Sequence, residues 1–274
     1  MANHKSKIIN RKSKIPLIVI TNDDGIASPG LRAAVHAVLD LGEVLIVAPR
    51  EQQSSAGRAF YGRGDAEPVP YVVDRKHVRA FAVPTSPAIA VRHACLLVAD
   101  RRPALLISCI NYGENIGNGV TISGTVGAAL EAANLGVPAM AVSVATASEY
   151  HFSHSTDIDF SVAAHFAWQF ARRVLAYGMP RGADMLNINV PEGARRTTPW
   201  RWTRVARAAY FYSTIEMTPT GKHFTGYEAR VDPETLERDA DVRAVVIDRV
   251  VSVSPLTLDL TARVSVQERA RWGE

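Results

Sequence analysis

The chain predicts an α/β fold: a mostly parallel sheet with helices on both faces, followed by a C-terminal β-arm and helix extension. Three observations carry this. Short apolar runs recur at 16–21, 43–48, 104–108, 139–143 and 185–190, without the polar alternation of a half-exposed strand, as burial on both faces requires. The segments between them carry helical spacing, and strand–helix alternation demands a parallel sheet covered on both sides. Beyond Pro191 the alternation stops.

Residues 1–14 read as a basic tail (Lys5, Lys7, Arg11, Lys12, Lys14) ahead of a core spanning 15–195. The first strand ends in Thr21-Asn22-Asp23-Asp24-Gly25; Leu31, Val35, Val38 and Leu39 mark a helix, and Glu43–Ala48 closes a βαβ unit. The stretch 58–84, rich in Gly, Pro, Tyr and Val, predicts loops or a small hairpin. A helix around 86–99, the strand 104–108, a glycine-rich loop, a helix around 124–135 and the strand 139–143 follow. A long helix over 156–177 and the strand 185–190 complete the core. Residues 196–274 read as a C-terminal arm and helix: strand-like runs at 200–213 and 242–253 flank a polar segment from Thr218 to Asp241, and 257–272 resemble a terminal helix. An exposed β-arm is a natural element for subunits to exchange, so this region is the expected oligomerisation element.

At 274 residues, 47% hydrophobic and 21% charged, the composition is that of a soluble globular protein. No apolar run approaches the ~20 residues that span a bilayer, and the N-terminus lacks the ~7–15-residue apolar segment of a secretion signal. A cytoplasmic protein with no membrane role is expected. The cysteines, Cys95 and Cys109, have no Cys-X-X-Cys spacing, which argues against zinc and structural disulfides. The net charge of +4 includes five basic residues of the tail, where a solvated segment explains them. Arg195-Arg196, Trp200-Arg201-Trp202, Arg204 and Arg207 interleave arginine with aromatics, as single-strand binders do. No recognised nucleic-acid module accompanies them, so nucleic acid is not the expected partner; an anionic small substrate fits the same residues.

Three loops follow three strands at the edge where an α/β sheet binds ligands. Asp23 and Asp24 in the first could share a cation only if the backbone turns, which Gly25 permits; the competing reading is an ordinary turn with an aspartate capping the next helix. The second loop runs from Pro49 through Gln52, Gln53 and Ser54 to Gly57, a composition that a plain polar connection also explains. The third, Asn111 to Gly119, leads into Thr121-Ile122-Ser123-Gly124-Thr125-Val126-Gly127, whose helix N-terminus could cradle a phosphate; a simple Ser N-cap is equally compatible. No Gly-Lys-Ser/Thr P-loop occurs. Two carboxylates, a serine hydroxyl and an asparagine amide supply hard oxygen donors, suiting Mg²⁺ or Mn²⁺. A cation beside a phosphate favours ester hydrolysis, by water or by direct attack of Asp23 on phosphorus.

At these loops the chain resembles the SurE family, the survival protein E nucleotidases. The similarity covers Thr21-Asn22-Asp23-Asp24-Gly25-Ile26, Ser28-Pro29-Gly30, Val47-Ala48-Pro49 with Gln53-Ser54, Ile110-Asn111 with Gly113, Asn115 and Gly117, and Ser123 to Ala129 with Glu131. It resumes at Gly136 to Ala139, Leu186 to Pro191 and Val253 to Leu256. The resemblance implies a Rossmann-like core and a divalent-metal-dependent phosphomonoesterase acting on nucleoside monophosphates. It also implies a homodimer or homotetramer with an exchanged C-terminal arm. By position, Asp23, Asp24, Ser54 and Asn111 align with the ligands of one metal ion, and Asn115, Ser123, Gly124 and Thr125 with the phosphate pocket. Cys109, Ser55, Asn118-Gly119 and the Ala82–Pro87 segment depart from the family pattern. These departures leave open a nucleotide-binding regulatory module with little hydrolysis. Among the histidines, His36 and His93 read as structural or surface groups; His151, His154 and His223 fall in polar loops, and a place near the substrate is conceivable for His151 or His154.

Overall fold

The computed structural model describes residues 15–273; the tail expected at 1–14 lies outside them. In chain order the elements are β1 (Leu17–Thr21), α1 (Pro29–Val38), β2 (Glu43–Pro49), β3 (Glu67–Pro68), β4 (Val72–Val73), β5 (Lys76–His77), β6 (Arg79–Val83), α2 (Pro87–Arg92), β7 (Leu105–Tyr112), α3 (Gly124–Asn134), β8 (Ala139–Val144), α4 (Ser161–Tyr177), β9 (Met185–Val190), β10 (Trp200–Trp202), β11 (Phe211–Thr218), β12 (Gly221–Ala229), β13 (Val251–Leu256) and α5 (Val266–Arg271).

Nine strands make one sheet, ordered β10-β13-β9-β8-β7-β1-β2-β6-β3. The six from β9 to β6 run parallel; β3 and β13 lie antiparallel to their inner neighbours. Successive strand side chains point to opposite faces, and β1 shows the result. Ile18 and Ile20 pack with Leu31 and Val35 of α1 and with Phe166 and Phe170 of α4, while Leu17 and Val19 pack with Val91 of α2 and with Val126 and Ala129 of α3. Both faces are thus covered, as the uninterrupted apolar runs predicted.

Several elements differ from the sequence expectation. β7 extends to Tyr112, so Asn111 sits at a strand end rather than in the loop; its pairing with β8 slips between Ser108 and Asn111. The stretch 58–84 holds the β4–β5 hairpin and also β6, a sheet strand paired with β2. Only Ala80, Ala82 and Val83 of β6 are buried, too few to stand out as an apolar run. The helix expected at 86–99 divides into α2 and a π-helical turn, His93–Val98, and α4 begins at Ser161.

Beyond residue 195 the chain divides its roles. β10 and β13 return to the sheet, whereas the run at 242–253 is a π-helical turn (Arg243–Ile247) before β13. The polar segment contains β12, which pairs with β11 in a long hairpin. Ile215, Met217 and Phe224 are exposed there; with both faces in water no apolar period is required. The terminal helix is confined to α5, N-capped by Ser265. A small third cluster, including Ile116, Tyr210 and Val242, joins this region to the core. Buried Asp241 fastens it, accepting from the backbone N–H groups of Gly117 (3.0 Å), Ala206 (2.9 Å) and Val242 (2.7 Å). Arg201 and Arg204 of the basic stretch pair with Asp248 and Asp239. Cys95 and Cys109 are free thiols, and among the described residues no helix is long and apolar enough to cross a membrane.

Candidate active site

From β1 the chain proceeds to β2 on one side, whereas β7 lies on the other. Chain direction across the sheet therefore reverses at β1/β7, the place where such sheets bind ligands beyond their carboxyl ends. The three loops singled out in the sequence meet there.

Asn22 folds the first loop. Its Oδ1 accepts from Gly25 N (3.2 Å) and its Nδ2 donates to Gly25 O (2.9 Å), with Gly25 at φ +94°. The turn presents both aspartates. Asp23 Oδ1 accepts from the Thr125 hydroxyl at 2.7 Å. A Cβ on Gly124 would stand 2.8 Å from Asp23 Cβ, so glycine is what lets α3 approach. Asp24 Oδ1 accepts from Gln52 Nε2 (3.2 Å), its backbone carbonyl accepts from His154 Nε2 (2.7 Å), and its buried Oδ2 has no hydrogen-bond partner. Gln52 Nε2 also faces Ser54 Oγ (2.9 Å) and His151 O (2.7 Å), tying the first and second loops together.

Burial pushes the Asp23 carboxyl up to about 6. Asp24 is raised well above the ordinary carboxylate range, first by burial and then by its neighbour's charge. Among the described residues no Lys or Arg pairs with either. Adjacent buried carboxylates of this kind hold a proton or a cation. Asn111 Nδ2 donates to Tyr112 O (2.9 Å) and Gly113 O (2.7 Å), leaving its carbonyl oxygen free as a ligand. No group of three His, Cys, Asp or Glu side chains is gathered among the described residues; the donors here are two carboxylates, a hydroxyl and an amide, all oxygen, which fits a hard divalent cation.

A cleft of about 270 Å³ opens over this corner, lined by Asp23, Ser54, Asn111, Asn115 and Ser123, and by His151, Phe152, Phe211 and Tyr227. Asp24, Gly124 and Thr125 are buried and do not line it. Thr125, expected in a phosphate pocket, gives its hydroxyl to Asp23. Ser123 caps α3, accepting from Val126 N at 3.1 Å. Asn115 is fixed by Ser143 Oγ (2.9 Å), by Asn189 Oδ1 on its N–H (2.7 Å) and by Asn187 Nδ2 on its carbonyl (2.8 Å).

Residues that the sequence reading passed over complete this corner. Gln52 looked like part of a flexible connection. Asn187 and Asn189 alternate within an apolar strand, a legible sign of a polar group facing one point of the sheet. His151 does reach the cleft: its Nε2 donates to Thr146 O (3.2 Å), so its Nδ1 accepts from the Tyr227 hydroxyl (2.7 Å). Of the departures from the family pattern, Ser55 and Gly119 line the cleft, whereas Cys109 is buried in β7.

The fold and site define an α/β protein with paired buried carboxylates at the switch point of its sheet and an oxygen-lined cleft above them. Residues 18–211 match the family described as Survival protein SurE, and the chain belongs to that family. It is 42% identical over 255 residues to a 5'-nucleotidase SurE of Methanocella arvoryzae, covering 89% of this chain and 93% of the relative. A second 5'-nucleotidase SurE, of Thermococcus kodakarensis, is 39% identical over 92% of this chain and 96% of its own. The crystal structure of the Sure protein from Aquifex aeolicus superposes with a TM-score of 0.73 at 27% identity, covering 94% of this chain and all of that one.

Proposed function

We propose that the chain is a divalent-metal-dependent 5'-nucleotidase, a phosphomonoesterase that releases phosphate from nucleoside monophosphates. The observation that carries the reading is Asp24 Oδ2, a buried carboxylate oxygen without a partner beside a second buried carboxylate. Asp23, Asp24, Ser54 and Asn111 are the residues that would hold one Mg²⁺ or Mn²⁺ per subunit. Such an ion, when bound, neutralises charge developing on phosphoryl oxygens and acidifies water. Thr125 holds Asp23 Oδ1 and directs the carboxylate toward the cleft; Gln52 sets the spacing of Asp24 and Ser54. Asn115, Ser123, Gly124 and Thr125 form the proposed phosphate pocket at the N-terminus of α3, where the positive end of the helix favours an anion.

A homodimer or homotetramer exchanging its C-terminal arm is supported by the exposure of Leu260, Val266 and Trp272 in the terminal segment. Two free cysteines are in keeping with a reducing compartment, and we place the protein in the cytoplasm. The test is release of inorganic phosphate from AMP with Mn²⁺ or Mg²⁺. Chelator and Asp23→Ala should each abolish it; turnover that survives both refutes the assignment.

A further inference from the structure

We infer that the base of the nucleotide stacks on an aromatic wall formed by His151, Phe152 and the β11–β12 residues Phe211 and Tyr227. The inference rests on the nucleotidase reading for the position of the phosphate. The cleft contains two groups of residues, and each is organised within itself. The oxygen donors are joined by hydrogen bonds around Asp23 and Asn115, as described above. The rings pack on one another: Phe211 and Tyr227 edge to face at 5.2 Å, and His151 against Tyr227 at 6.1 Å with 24° between planes.

The wall is pinned and is tied to the oxygen-lined corner. Tyr227 donates to His151 Nδ1, Thr146 O fixes the other ring nitrogen, and His151 O accepts from the same Gln52 amide that contacts Asp24 and Ser54. The His151 ring lies over Gly113, two residues from Asn111. Phe152 is 65% exposed; Phe211 rests partly on the third cluster and, with Tyr227, also lines the cleft, where the rings are open to an apolar partner. A phosphate ester without a base would leave them wet. Every nucleobase offers a π-face, so stacking binds a base with little discrimination among bases. The volume of about 270 Å³ lies at the lower edge of small-molecule sites, ~300–1,000 Å³, suiting one nucleotide rather than an oligonucleotide.

The experiment compares kcat/KM for AMP with that for ribose 5-phosphate, in the wild type and in Phe211→Ala, Phe211→Tyr and Phe152→Ala. The AMP to ribose 5-phosphate ratio should fall roughly 5- to 150-fold in Phe211→Ala, fall in the same direction in Phe152→Ala, and be restored in Phe211→Tyr. Phe152→Ala guards against misfolding of the hairpin, because the exposed ring it removes supports no core. Binding of the unhydrolysable phosphonate analogue of AMP, measured calorimetrically, gives a readout independent of turnover and should weaken in parallel. An unchanged ratio in both alanine variants overturns the inference and leaves the nucleotidase reading standing. Analogue binding that depends on Phe211 without hydrolysis of any nucleotide overturns the nucleotidase reading and supports the wall. Absence of both binding and hydrolysis overturns both.

Discussion

The oxygen-lined and aromatic halves of the cleft are built to different standards. Asp23 and Asp24 follow directly from β1, whose five residues are all buried, and their positions are set by Asn22, Gln52 and Thr125. Phe211 and Tyr227 stand on a two-stranded ribbon largely in water, anchored near its base by Asp241 and the third cluster. Two-stranded ribbons are marginal by themselves. A rigid sheet edge can hold charged groups in an unfavourable state, whereas a ribbon can vary its side chains at little cost to the fold. On this view the chemistry resides on the sheet and the breadth of substrate on the ribbon.

The largest test of that contrast is Asp24→Asn. It should lower kcat/KM for AMP by at least about a thousandfold, the scale of losing a main electrostatic element of catalysis. The same change removes an unpartnered buried charge, so the metal-free variant should melt higher than metal-free wild type, by a few degrees for about 1–3 kcal/mol. Activity and stability moving in opposite directions is the signature of a residue strained for function. A lower melting temperature would mean that Asp24 is part of the packing.

A second test uses pH. With the Asp23 carboxyl raised from 3.8 to about 6, the folded protein binds more protons than the unfolded chain between these values. Metal-free stability should therefore be greatest below about pH 4 as far as this group is concerned. It should decline as pH rises through 6, by about 3 kcal/mol. The difference in melting temperature between wild type and Asp23→Asn across pH 4–7.5, in chelator, isolates the contribution. Adding Mn²⁺ should reverse the decline above pH 6; a pH-independent difference would show that Asp23 is not held as described.

A smaller effect is expected at Gln52. Its amide touches Asp24 and Ser54 without being a proposed ligand, and losing such support typically weakens metal binding 10–100-fold. Gln52→Ala should do so in a Mn²⁺ titration, with KM for AMP changing little at saturating metal. If only KM moves, Gln52 acts on the substrate instead.

What could be read from the sequence follows this division. β1, β2, β8 and β9 were visible because strands buried on both faces must be apolar throughout, and the ordered loop motifs marked the corner where Asp23, Asp24, Ser54 and Asn111 converge. β6 escaped notice because only part of it is buried, and the β11–β12 ribbon because exposure on both faces removes the alternation by which strands are recognised. Gln52 and Tyr227 escaped for a different reason. Each is placed by partners far away in the chain, such as Gln52 with His151, and no local spacing encodes that. The contact of the Thr125 hydroxyl with Asp23 was not legible either, since residue type alone does not tell a phosphate donor from a support for Asp23.

The ribbon itself sharpens the comparison with the smallest expected change. Ile215, Met217 and Phe224 are 57%, 69% and 79% exposed, so each buries little apolar surface within its own subunit. Met217→Ser should leave subunit stability within about 0.5 kcal/mol, as for other surface changes, whereas Ile20→Ala in β1 should cost about 2–5 kcal/mol. Denaturant titrations of the two variants measure this directly. If the ribbon and the terminal segment pack between subunits as proposed, Met217→Ser and Phe224→Ser should also lower the mass found by light scattering at micromolar concentration. A ribbon with no partner would leave the mass unchanged. Its exposed apolar side chains would then be surplus to assembly, and only the end of the ribbon bearing Phe211 and Tyr227 would have a role in binding.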